Sequence, residues 1–428
     1  MKGNKSLLGI YCFSIIAIIY SIISFGVTDG YPDTISYISA WDSISHGQLD
    51  KLRTPLYPIY LGIVKGIVGT KSFELYAIIG QYILFLVSIF PFYSICSRLI
   101  SSSTIAYWAT AFYAINPFIF SWCACVLTES FAISGSVFFL YYTIKLYDGF
   151  SYLRFSLVTL LLIALLMLRP AFVYIIPVLF ISWGFLWMKS EKRRQARAGV
   201  LSSVFAVLTL SFYMSVYRQE YGVLTMSKVS TLNRWLIARQ YGLINPNVIK
   251  DSAFQLDIRE SYRLHGETMV EPYCEEMIAE ERYIWSKYSI KTINEALNAS
   301  FFSHPLKNLS TIVNRAKKAS SKRLFFFYAK FGGLVSLSNW IPLRIKHLYI
   351  FLAVYAAFIL AYVIRKGYIP WLSMSLYLLS IGNLFVVLIG APEEWNRLMM
   401  PSFPFLIILF AQLCTLFRVK PFSQLEFG

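Results

Sequence analysis

Five sets of charged residues lie beside long apolar runs, and their types suit chemistry on an anionic group held at a membrane surface. Asp29 and Asp33 follow the first apolar run, in Thr28-Asp29-Gly30-Tyr31-Pro32-Asp33. Arg53 begins Arg53-Thr54-Pro55-Leu56-Tyr57-Pro58, which leads into the next apolar stretch. Glu129 stands in Leu127-Thr128-Glu129-Ser130, Arg169 in the break Arg169-Pro170, and Glu394 and Arg397 in Glu393-Glu394-Trp395-Asn396-Arg397. A carboxylate can accept a proton from an attacking hydroxyl. Guanidinium groups can hold a phosphate and neutralise charge developing on it. Asp33 is the first candidate for the base, and Tyr37, four residues on, shares its face if the stretch is helical. The plainer reading makes each charge an interfacial anchor reaching water from a span end. In that reading Asp33 is a helix N-cap and Asp29, beside Gly30, a turn residue.

The elements that would position these groups are membrane helices. The 428 residues are 57% hydrophobic and only 14% charged, far too little charge for a soluble domain of this size. Repeated runs of about 20 apolar residues imply a helical bundle, because backbone groups in lipid must be satisfied within their own segment. Ten spans are expected, at 7–27, 72–97, 102–121, 129–146, 155–168, 171–188, 199–217, 347–364, 369–390 and 398–417. The run from Leu7 to Val27 is too long for a signal-peptide core and is followed by no small-residue cleavage site, so it reads as a retained span. Placing the N-terminus inside makes every inner segment basic, including Lys189, Lys192, Arg193, Arg194 and Arg197, as the positive-inside rule requires. Asp29 and Asp33, Glu129, Arg169 and the turn at 393–397 then share the outer face, as does Arg53 in the first outer loop.

Net charge is +17, but the basic residues flank spans or lie in one long loop without nucleic-acid motifs. Anionic lipid and phosphate are the expected partners, and nucleic acid is not. The six cysteines and four histidines show no metal-ligand spacing, and Cys123 or Cys125 bridging to Cys274 is the one disulfide left open. In the first outer loop, 28–71, Leu56–Val68 is too short to span and reads as a helix lying at the interface. The polar segment 218–346, with helical patterns around 270–300 and 305–330, reads as a cap on the bundle rather than an independent domain. The chain thus divides into 1–217, 218–346 and 347–428. Glu275, Glu276, Glu280 and Glu281 read as a solvated helix face, and Lys317, Lys318, Lys322 and Arg323 as a solvated basic one. Two N-glycosylation patterns, at Asn298 and Asn308, would matter only in a eukaryotic lumen.

The order Pro32-Asp33-x-x-x-Tyr37, Gly47 and Arg53-Thr54-Pro55-Leu56-Tyr57-Pro58 resembles the first outer loop of GT-C membrane glycosyltransferases. The nearest likeness is to the protein-mannosyltransferase and aminoarabinose-transferase-like branch. Leu127-Thr128-Glu129-Ser130 resembles that branch's second acidic site and Arg169-Pro170 its span break. Glu394-x-x-Arg397 with Pro401 and Pro404 is similar to its last-span approach, and Ser303-His304-Pro305-Leu306-Lys307 to a segment before the late spans. The likeness runs from residue 7 to about 417 and rests on order and sidedness, since each motif is short.

The resemblance implies an all-α GT-C bundle with interfacial helices in the first outer loop. It implies Asp33 as general base and Glu129 as a supporting acid near the acceptor or an optional divalent metal, with no cofactor required. Arg53, Arg169 and Arg397 would hold the donor phosphate, with Asp29, Tyr37, Tyr57 and Glu394 as further substrate contacts. The donor would be a polyprenyl-phosphate-linked sugar, transferred with inversion to a lipid-linked or cell-surface glycan outside a bacterial cytoplasmic membrane. Family members often carry two adjacent acids where this chain has Asp33-Thr34. Asp29 or Asp42 could supply the second, or nothing does. Two other classes compete. An O-antigen-type polymerase would work through loop arginines such as Arg234, Arg239 and Arg259. A lipid-linked sugar flippase would need repeated halves or mid-span charges, and neither is evident.

Overall fold

The computed structural model describes residues 2–25, 33–269, 274–324, 343–392 and 395–418. Among them the chain is helical, with no strand beyond a single bridge between Arg323 and Arg344. In order the helices are α1 (Lys2–Phe25), α2 (Thr34–Ser45), α3 (Leu56–Val68), α4 (Phe73–Leu99), α5 (Ser103–Ile115), α6 (Pro117–Phe120), α7 (Glu129–Asp148), α8 (Tyr152–Leu168), α9 (Ile175–Trp187) and α10 (Arg193–Tyr221). Then follow α11 (Lys228–Gln240), α12 (Ser252–His265), α13 (Glu275–Lys287), α14 (Ile290–Ser303), α15 (Pro305–Ser320), α16 (Ile345–Lys366), α17 (Trp371–Gly390), α18 (Trp395–Leu398) and α19 (Phe403–Arg418).

Five segments are long and apolar enough to cross a membrane: Phe73–Leu99, Pro170–Trp187, Arg193–Tyr221, Ile345–Lys366 and Trp371–Gly390. Shorter apolar helices cover Leu7–Ile23, Leu56–Val68, Tyr152–Leu168 and Met400–Thr415. Among the described residues, each of the ten stretches expected as spans is largely helical. Local chemistry sets several ends. Ser151 caps α8 by accepting from the Arg154 N–H at 3.2 Å, and α10 and α16 stop at Gly222 and Gly367, both with φ near +75° (76° and 73°), where glycine avoids a Cβ clash. Pro170 disfavours helical backbone at the residue before it, so α8 ends and Arg169 is extended at φ −150°, ψ 129°.

The first loop folds as expected into short helices, and α2 packs on α3 at very close range. A Cβ at Gly62 would lie 2.0 Å from Trp41 Cδ2, so only glycine allows this approach. Among the described residues the segment 228–320 folds as five α-helices. It has a core of its own, including Trp235, Phe254, Ile258, Met277, Ile284 and Leu297. Glu280 is not on a solvated face: both its oxygens accept from the buried Arg239, at 2.7 and 2.8 Å. All six cysteines are free, with Cys123 and Cys125 buried in the bundle core, so the bridge to Cys274 is not made. Because α7 runs from Glu129 to Asp148, its ends stand about 30 Å apart at 1.5 Å per residue. The basic set beside its last turn, with Arg98 3.4 Å from Asp148 and Lys192 Nζ donating to the Tyr147 carbonyl at 3.1 Å, therefore lies far from Glu129.

Candidate functional site

At the Glu129 end of the bundle, five charged side chains from distant parts of the chain form one continuous chain of contacts. Asp33 immediately precedes α2, and its backbone carbonyl accepts from the Ser36 and Tyr37 N–H groups at 3.1 and 3.3 Å. Its carboxylate makes no capping hydrogen bond. The cap reading of this side chain is thereby corrected: the carboxylate is turned instead to two guanidiniums. Arg53 Nη2 donates to Oδ1 at 2.7 Å and Arg397 Nη2 to Oδ2 at 2.9 Å. Arg397 also places Nε 3.1 Å from Glu129 Oε1, and Arg169 Nη2 lies 3.5 Å from the same oxygen. The order in space is Arg53, Asp33, Arg397, Glu129, Arg169. Among the described residues of the cluster three cations face two anions, leaving one positive charge in surplus.

Each member is positioned by its local sequence. Arg53 Nε donates to Ser36 Oγ at 2.8 Å, Nη1 to the Tyr37 hydroxyl at 3.3 Å, and the guanidinium lies 4.2 Å from the Tyr37 ring centroid, a cation–π distance. Asp33 and Tyr37 thus hold one arginine from successive turns of α2. Glu129 is the first residue of α7 and is 1% exposed, where the helix dipole favours a negative charge. Arg169 reaches the site because Pro170 has ended α8 beneath it. The Arg169 Nη1 and Glu129 Oε2 atoms are buried and form hydrogen bonds with no atom of the described residues.

Electrostatics follow from this pairing. Burial raises the Asp33 pKa, but the charges and hydrogen bonds of Arg397 and Arg53 outweigh it and hold the carboxyl below its ordinary 3.8. Burial lowers the Arg53 pKa, yet Tyr37 and Asp33 leave it above the ordinary arginine value.

Of the other expected contacts, Tyr57 is placed differently. Its side chain is wholly buried, its hydroxyl donates to Gln81 Oε1 at 2.8 Å, and its ring stands edge-on to Tyr37 at 5.2 Å. It backs the Tyr37 ring. Asp29 and Glu394 lie outside the described residues. Among the described residues no three metal-ligating side chains come together, and Arg397 stands between the carboxylates of Asp33 and Glu129.

Sequence reasoning missed the residues that hold these parts together. Asp50 Oδ1 accepts from the N–H groups of Leu52 and Arg53 at 2.8 and 2.6 Å, a local turn that an Asp three residues before Arg53 signals. Gln81 Nε2 donates to the carbonyls of Cys123 and Cys125, both at 2.8 Å, fixing the turn ahead of Glu129. A lone amide in an apolar span was the available signal. Thr54 Oγ1 donates to the Leu168 carbonyl at 3.0 Å and Thr34 Oγ1 to that of Val126 at 3.3 Å, tying the first loop to the backbone before Arg169 and Glu129. Arg315, fully buried on α15, donates through Nε to the Leu388 carbonyl at 2.8 Å and through Nη2 to that of Ala391. It clamps the end of α17 just before the turn that carries Arg397, and burial lowers its pKa to about 10, so it keeps its charge.

The arginines named for the polymerase reading lie in the cap segment, where Arg239 is buried and Arg259 exposed. Arg234 donates to Asn294 and Asn298 at 2.9 and 2.7 Å, Arg239 is bound by Glu280, and Arg259 donates to Asn247 at 2.9 Å.

No protein-family model matches the sequence, and no curated protein does. Solved structures do. The oligosaccharyltransferase AglB from Archaeoglobus fulgidus, in complex with an inhibitory peptide and a dolichol-phosphate, superposes with a TM-score of 0.53 at 11% identity, covering 99% of this chain and 52% of that one. The apo form of the Archaeoglobus fulgidus oligosaccharyltransferase gives 0.52 at 13% identity, covering 95% and 50%. The chain therefore spans about half the length of these structures. At such low identity the likeness is one of fold alone.

Proposed function

We propose that this chain is a GT-C-type glycosyltransferase that moves a sugar from a polyprenyl-phosphate donor to a hydroxyl of a lipid-linked or surface glycan. The reaction would take place on the extracytoplasmic side of a bacterial cytoplasmic membrane. The observation that carries the reading is the clasp of Asp33 between Arg53 and Arg397, with Glu129 and Arg169 beside it. It stands at one end of a bundle whose fold is shared with a structure solved with a dolichol-phosphate.

The surplus positive charge attracts a phosphate, and the buried Nη1 of Arg169 is a donor available to it. Guanidiniums that turn toward the phosphate release the carboxylates they now hold. Asp33 then loses the pairing that depresses its pKa and becomes a competent base. It takes the acceptor hydroxyl's proton as that oxygen bonds to the anomeric carbon. The carbon–oxygen bond to phosphate breaks on the opposite face, which inverts the configuration. The electron pair leaves with the phosphate, where Arg53, Arg169 and Arg397 stabilise it. Glu129 keeps Arg397 and Arg169 oriented throughout.

The test is the Asp33→Asn variant, purified and assayed with a polyprenyl-phosphate sugar and membrane glycolipid acceptor. Loss of a general base is expected to lower kcat by roughly 10²- to 10⁴-fold. Full activity in folded protein would refute the assignment.

A further inference from the structure

Helix α15 is amphipathic with its faces reversed. The side chains it turns into the protein are Asn308, Thr311, Arg315 and Ala319, while Leu306, Leu309 and Val313 face outward. The latter are spaced three and four apart and so share one side of the helix. Leu306 is 81% exposed, and Phe302, at the end of the preceding helix, is 77% exposed. Phe301 is exposed beside it. A contiguous apolar patch of this kind on a protein surface marks an interaction site.

The position of α15 identifies the partner. Arg315 grips the terminal carbonyls of α17, and the Tyr349 hydroxyl, near the start of α16, donates to the Ala316 carbonyl at 3.2 Å. Both contacts are at span ends, so α15 lies at the level where the bundle leaves the bilayer. On α16, to which α15 is tied, Ile350 and Val354 are exposed. Basic Lys317, Lys322 and Arg323 are exposed around the helix's C-terminal end, and cations there attract anionic headgroups. We infer that α15 is an interfacial helix whose Leu306, Leu309 and Val313, together with Phe301 and Phe302, insert at the headgroup–acyl boundary of the leaflet on the Asp33 side. Helices of this type bury about 5–10 Å into that boundary. The cap is thereby fastened to the bilayer as well as to the bundle, independently of the reaction assigned to the chain.

Spin labels decide the matter. Leu309→Cys and Phe302→Cys, each in full-length protein with Cys12, Cys274 and Cys414 changed to Ser, carry a nitroxide in nanodiscs of phosphatidylethanolamine and phosphatidylglycerol. Glu275→Cys, exposed on α13, is the water reference. The ratio of collisions with oxygen to collisions with a water-soluble nickel chelate is expected to be severalfold higher at 302 and 309 than at 275. A ratio equal to that at 275 overturns the inference, since the face is then in water. Low accessibility to both reagents also overturns it, since protein then covers the face. Two label sites keep the test decisive if one variant fails to fold.

Discussion

Asp33 is charged because of its partners, and the sign of that coupling gives a test at the scale of one residue. A carboxyl whose pKa is lower in the folded state contributes its full stabilisation above the unfolded value. The contribution is lost only as pH falls through the folded value. The folded value lies below 3.8, so the Arg53 and Arg397 pairs are unchanged from neutrality down to that region. In kcat/KM, which reports the free enzyme, Asp33 is expected to produce no acid limb above 3.8. In kcat, which reports the loaded enzyme, its limb is expected at higher pH, because the donor phosphate draws the guanidiniums away. Carbon-13 labelling of Asp33 checks the free state directly, and a titration near neutrality there would contradict the paired geometry. The residue types were legible in advance: Asp33, Glu129 and three arginines beside apolar runs suit phosphate chemistry. Which arginine meets which acid was not. Arg397 lies 364 residues from Asp33 along the chain, and no spacing rule reaches that far.

The first-loop helices are the elements that aim Asp33, and their packing offers a second handle. Gly62 lets α3 approach Trp41 on α2 so closely that any Cβ would overlap the indole. Gly62→Ala is therefore expected to push α2 outward and cost about 1–3 kcal/mol, the usual penalty of overpacking. Activity should fall with it, because Asp33 begins α2. Adding Trp41→Ala should restore much of the activity, as measured by parallel thermal unfolding and transfer assays. No recovery in a stable double variant would show that α2 placement does not govern the site. Helix boundaries of this kind were largely visible: Pro170 ends α8, glycines stop α10 and α16, and the short apolar stretch after Pro55 is α3. The core of the cap was harder to see. Trp235 and Phe254 are far apart in sequence and meet only through the tertiary fold, and Glu280 looked solvated until Arg239 was placed against it.

For the whole molecule, sidedness is the quantity to measure. Exposed His46 lies in the first loop and exposed Arg193 at the start of α10, on opposite sides of the bilayer in the proposed orientation. In a chain lacking Cys12, Cys274 and Cys414, a membrane-impermeant maleimide should label His46→Cys in intact cells and Arg193→Cys only after permeabilisation. The reverse pattern would place the Asp33 cluster in the cytoplasm and end the proposed reading. The membrane class, the approximate helix positions and the chemical types at the site followed from sequence alone. Lipid imposes internal hydrogen bonding on every span, and periodicity, proline and charge are local signals that a linear chain displays. The closure of Arg53, Asp33, Arg397, Glu129 and Arg169 into one cluster was decided only by tertiary structure, as was the outward apolar face of α15. Both depend on which surfaces pack together, and packing is a relation between segments that neither segment carries by itself.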